Sequence, residues 1–148
     1  MKAARAALCA LACTLVLTTT STAAAQKQVV GSSTPTLSTA VRWGDMLFLS
    51  GALGVSRTAP DSTVGGQTKM IFDNMKTTLE SAGTNMANVV KCTVFLVDLK
   101  DFGPMNTAYA TAFSMSKEPP ARSTVVVAAL VSAAAKVEIE CIAGIPKP

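Results

Sequence analysis

The chain has 148 residues, 49% of them hydrophobic and 15% charged, with no histidine. Without an imidazole there is no Ser-His-Asp or Cys-His couple and no histidine-ligated zinc. Proton transfer near neutral pH falls to a carboxylate, an amine, a phenol, a thiol or water. The length suits one domain with a real core, and the few unclustered aromatics, at a formal charge of +4, form neither a stacking platform nor a basic stripe for nucleic acid.

Residues 1–5 carry Lys2 and Arg5, residues 6–17 are apolar apart from Thr14, and 18–25 are small and polar, ending in Ala23-Ala24-Ala25. That is the order of a cleaved secretory signal, so residues 1–25 are expected to direct the protein to the periplasm or outside the cell. The apolar run falls short of the ~20 residues that span a bilayer, so no stable membrane insertion is expected. A membrane anchor and lipoprotein processing at Cys13 are the alternatives. Removal of the segment takes Lys2 and Arg5 with it, lowering the formal charge from +4 to +2, and leaves Cys92 and Cys141. These two read as small buried strand residues. A disulfide between them is the alternative that export permits.

Residues 26–36, rich in Ser and Thr with Gly31 and Pro35, read as a flexible leader to a domain at 37–146. Residues 37–42 and 46–51 are strand-like runs joined by Trp43-Gly44-Asp45, and 52–66 reads as a loop. From 67 to 82 the period becomes helical, with Ile71, Phe72, Met75 and Leu79 on one face and Gly83 at the C-terminal cap. Residues 89–97 return to a strand, with Val90, Cys92, Val94 and Leu96 facing one way and Lys91, Thr93 and Phe95 the other. Asp101 is placed to cap a second helix whose apolar face is Met105, Ala108, Tyr109, Ala112 and Phe113. Pro119-Pro120 stops it, and strands follow at 124–130 and 136–143. In the last, Val137, Ile139, Cys141 and Ala143 oppose Glu138 and Glu140.

The order β-β-α-β-α-β-β predicts one α+β domain with both helices on one face of the sheet. The other face would show Phe95, Ile142 and Val125 or Val126 beside Lys91, Glu138 and Glu140, a half-apolar surface that points to self-association.

Five stretches then carry a resemblance: Leu47-Phe48-Leu49-Ser50-Gly51, Val90-Lys91-Cys92-Thr93-Val94-Phe95-Leu96, Asp101-Phe102 with Met105-Asn106 and Tyr109, Pro120-Ala121-Arg122-Ser123-Thr124-Val125, and Val137-Glu138-Ile139-Glu140. In this order and spacing the chain resembles the RidA/YjgF family of enamine/imine deaminases. The resemblance implies a chorismate-mutase-like mixed sheet assembled as a homotrimer, with clefts between subunits and no cofactor or metal. It also implies hydrolysis of a 2-imino or 2-enamino acid to a 2-keto acid and ammonia.

Arg122 follows the stiff Pro119-Pro120 lead and suits a two-pronged grip on a planar carboxylate; the bland reading is an exposed arginine at a strand start. The resemblance gives Arg122 the carboxylate-binding role and makes Glu138, rather than Glu140, the water-activating group. Asn106, Ser50 and Thr124 are implied substrate contacts. The family's tyrosine before the first strand is replaced by Leu37, and Gly51-Ala52-Leu53-Gly54 stands where Gly-Gln-Ile-Pro is usual, which implies a more apolar cleft. The runner-up from a different class is a non-catalytic trimer that binds small carboxylates or acts as a holdase in the envelope, using Arg122 but not Glu138.

Overall fold

Period-two alternation of apolar and polar residues runs through the central strands of a six-stranded sheet, and two helices cover the face where the apolar positions fall. The computed structural model describes residues 26–56, 63–116 and 118–147. The expected signal at 1–25 lies outside the described residues. The strands are β1 (Lys27–Ser33), β2 (Ser38–Trp43), β3 (Met46–Leu53), β4 (Val89–Leu96), β5 (Ala121–Val126) and β6 (Val137–Gly144). The helices are α1 (Val64–Ser81) and α2 (Phe102–Ala112). The sheet order is β1-β2-β3-β6-β4-β5, antiparallel throughout except for the parallel pair β4–β5. This is the mixed-sheet α+β architecture expected.

Several expectations are corrected, among them the strand expected at 124–130, which is β5 at Ala121–Val126. The segment 26–36 is no leader: β1 occupies most of it and pairs with β2, Val29 opposite Val41 and Val30 opposite Ala40. Its Ser- and Thr-rich composition hid a strand whose backbone is satisfied by a neighbour. The loop assigned up to residue 66 ends sooner, because Thr63 accepts a hydrogen bond from the Gly66 amide and starts α1 at Val64. Asp101 makes no capping bond; Asp98 accepts from the Lys100 amide and caps a 3-10 turn that leads into α2. Val90 is exposed rather than core, because an irregularity between Val89 and Lys91 gives the inward position to Val89.

The core lies between sheet and helices: Ala40, Leu47, Leu49, Val94, Leu96, Val137, Ile139 and Ala143 from the strands, against Ile71, Phe72, Met75, Leu79, Met105 and Tyr109. Gly83, at φ +78°, ends α1, and the Thr84 amide returns to the Leu79 carbonyl. Cys92 and Cys141 sit directly opposite each other on β4 and β6, both on the core side, and are joined as a disulfide. The two buried thiols favoured by the sequence are thus one covalent link, because register sets these two side chains face to face. No helix among the described residues is long and apolar enough to cross a membrane.

Candidate functional site

Pro119-Pro120 delivers the chain into β5, and the parallel register sets Arg122 opposite Cys92, on the helix-covered side of the sheet. Since β5 is the outermost strand, Arg122 reaches out to α2. Its Cζ lies 4.6 Å from the centre of the Tyr109 ring and 5.9 Å from that of Phe102. Tyr109 is itself braced: Phe72 meets it edge-on at 5.3 Å, and Phe113 lies 4.9 Å away. Asn106, Tyr109, Ala110, Phe113, the two prolines and Arg122 line a cavity of about 540 Å³.

Among the described residues Arg122 has no ion pair, whereas Lys69–Asp73, Lys76–Glu80, Lys100–Asp98 and Lys147–Asp45 all pair at the surface. Among the described residues, the buried side-chain atoms that lack a hydrogen-bond partner are Thr124 Oγ1, Tyr109 Oη and Asp101 Oδ2. Thr124 shares the face of Arg122 two residues along β5, Tyr109 stacks on the guanidinium, and Asp101 adjoins Phe102. Buried polar groups are almost always satisfied, so the unpartnered hydroxyls of Tyr109, against the guanidinium, and Thr124, two residues along β5, are notable on the two elements that carry the cation. Burial pushes the Tyr109 hydroxyl up to about 12, against a smaller downward pull from Arg122, so the ring stays neutral beside the cation.

The other predicted residues lie elsewhere. Glu138 opposes Phe95 on β4 and Leu53 on β3, which places it on the open face of the sheet. Its carboxylate rests over Gly51: a Cβ there would meet Glu138 Oε1 and displace the carboxylate from this position. A register irregularity between Leu49 and Ala52 brings Ser50 and Gly51 to that spot. Ser50 donates a hydrogen bond to the Ser38 carbonyl at 2.7 Å and, with exposed Leu37, Pro35 and Val41, lines a second cavity of about 460 Å³.

Arg122 and Asn106 are therefore brought together, with Thr124 beside them, while Glu138 and Ser50 belong to another place. Cys92 opposes Arg122 and Phe95 opposes Glu138, so the two groups lie three residues apart along β4, about 10 Å at the usual strand rise, and on opposite faces. Tyr109, which reads in the sequence as one more apolar helix position, is the site residue that pattern alone does not reveal. Among the described residues no group of three His, Cys, Asp or Glu side chains converges as a metal site.

Comparison with known proteins places this geometry in a family context. Residues 30–145 match the sequence model of the family described as Endoribonuclease L-PSP. The chain is 42% identical over 109 residues to Reactive Intermediate Deaminase A, chloroplastic, of Arabidopsis thaliana, covering 72% of this chain and 57% of that protein. It is 38% identical over 103 residues to the 2-iminobutanoate/2-iminopropanoate deaminase of Escherichia coli, covering 68% and 80% respectively. The crystal structure of RidA from an Antarctic Psychrobacter superposes with a TM-score of 0.71 at 34% identity, over 80% of this chain and 99% of that one.

Proposed function

The chain belongs to the RidA/YjgF family, and we propose from that premise that it hydrolyses 2-imino or 2-enamino acids to 2-keto acids and ammonia. The observation that carries the reading is Arg122: a guanidinium stacked on Tyr109, without an ion pair among the described residues, lining a cavity together with Asn106. Such a group offers two parallel N–H bonds to a carboxylate. A diffuse RNA backbone finds less support, since most exposed lysines pair with their neighbours.

In the proposed reaction Arg122 holds the carboxylate and Asn106 offers its amide to the substrate. Glu138, resting over Gly51, takes a proton from water as the oxygen bonds to the imine carbon. Glu138 passes that proton to the imine nitrogen, giving a carbinolamine; its hydroxyl proton then moves to the nitrogen as the C–N bond breaks, leaving the keto group and ammonia, with one water consumed and no electrons changing hands. Because Arg122 and Glu138 occupy opposite faces of the sheet, a complete site combines the Arg122 cavity of one protomer with the Ser50–Glu138 surface of the next. The half-apolar open face, where Phe48 and Val125 are exposed, supports such self-association, and we assign it to a homotrimer with clefts between subunits. Leu37 at the rim favours substrates with an apolar side chain. Export through residues 1–25 belongs to the same proposal.

The test is direct. Freshly generated 2-iminopropionate mixed with the purified protein should yield pyruvate well above the buffer rate, and Arg122→Ala should abolish the gain. A wild-type rate equal to buffer overturns the deaminase reading. Pyruvate binding that persists in that case, lost only in Arg122→Ala, selects the non-catalytic binding module instead.

A further inference from the structure

We propose that Tyr109 is the positioning residue for Arg122: its ring, clamped by Phe72 and Phe113, holds the guanidinium flat at the cavity so that its N–H fork is set before a carboxylate arrives. The proposal rests on the carboxylate reading of Arg122 and adds to it the element that gives the arginine its orientation.

An arginine can be oriented in two ways. A carboxylate partner fixes it through its N–H edge, but occupies the donors and neutralises the charge that a ligand needs. An aromatic ring fixes it through its face and leaves the edge free. Here the second device is present: no acid of the described residues pairs with Arg122, and the Tyr109 ring lies 4.6 Å from its Cζ. Phe102 is a weaker candidate, since its ring centre is 5.9 Å away and it is 39% exposed. Tyr109 is 5% exposed, and two aromatic neighbours hold it at fixed angles, Phe72 at 84° and Phe113 at 40°. Such a ring has little freedom to follow the arginine, so the arginine must follow the ring. Burial also keeps the phenol in its neutral form, so no internal anion competes with the ligand for the guanidinium.

The experiment uses pyruvate as probe, calorimetry for its affinity, and the Arg122 Nε–H proton resonance as a ligand-free reading of the stack. Tyr109→Leu removes the ring, Tyr109→Phe keeps it, and Phe72→Leu loosens the same aromatic cluster without touching Arg122. The expected result is a pyruvate Kd raised about tenfold in Tyr109→Leu and restored in Tyr109→Phe. Phe72→Leu, which removes one of the ring's two clamps, should lower Tm and raise the Kd by less than Tyr109→Leu does. The Arg122 proton should be shifted upfield by the ring current in wild type and Tyr109→Phe and should lose that shift in Tyr109→Leu. An unchanged Kd or an unchanged Arg122 resonance in Tyr109→Leu overturns the proposal. Equal weakening in Tyr109→Phe or in Phe72→Leu also does so, by assigning the effect to the hydroxyl or to general packing. Failure of wild type to bind pyruvate while the resonance behaves as expected overturns the carboxylate reading, and with it the functional half of the proposal.

Discussion

On the helix-covered side of the sheet, Arg122 stands in a rigid aromatic setting, against a tyrosine whose buried hydroxyl has no partner. On the open side, Glu138 lies over a glycine at a strand irregularity, beside a serine whose proton is already committed to Ser38. The first region is finished within one protomer: cavity, cation and orientation are all present. The second is an open surface on which a carboxylate rests over a glycine. In the proposed mechanism the contrast separates recognition, which one subunit prepares, from water handling, which takes a second copy to close over it.

The comparison can be broken by variants that touch one region and spare the other. Glu138→Gln keeps the shape of the carboxylate and removes its basicity, so turnover should fall by about 10²–10⁴-fold while pyruvate affinity is unchanged in calorimetry. A parallel loss of binding would merge the two regions into one. Gly51→Ala sets a methyl against Glu138 Oε1 and must push the carboxylate aside. Turnover should drop about tenfold or more, again with unaltered affinity, since small displacements of a catalytic group cost heavily. The smallest effect belongs to the recognition side. Tyr109 is the only tyrosine in the chain, so phenolate absorbance reports it alone. Its folded-state value, near 12, exceeds the unfolded value of 10. The stability this contributes is fully present below pH 10 and declines as pH rises from there towards 12. A titration midpoint near 10 in the folded protein would show a looser aromatic setting, and Tyr109→Phe should remove that slope from denaturant unfolding.

Much of the fold was legible because its signals are local. The periods of α1 and α2, Gly83 at a helix end and the alternation of Val137–Gly144 each follow from a few neighbouring residues. What escaped depends on partners distant in sequence. The first strand carries a polar composition that only its pairing with β2 explains. The exposure of Val90 follows from an irregularity in the β4–β6 ladder, and the Cys92–Cys141 link from its register. Arg122, Asn106 and Glu138 could be named from residue type and family pattern. That Arg122 and Glu138 part to opposite faces, and that Tyr109 underlies the arginine, are consequences of strand parity and helix packing that no short window contains.

The bond between Cys92 and Cys141 encloses an unequal division of these parts. Asn106, Tyr109, Arg122 and Glu138 all lie inside the covalent ring it closes, while Leu37 and Ser50 lie outside. The two cysteines are 49 residues apart, and closing a loop of that length removes about 4 kcal/mol of chain entropy from the unfolded state in the simple model. A ring also changes what a protease can achieve. One cut anywhere between the two cysteines, for instance in the segment from α2 to β5, leaves every residue of the chain still tethered to the rest. Two cuts inside the ring, or one cut with reduction, are needed to release a piece of it.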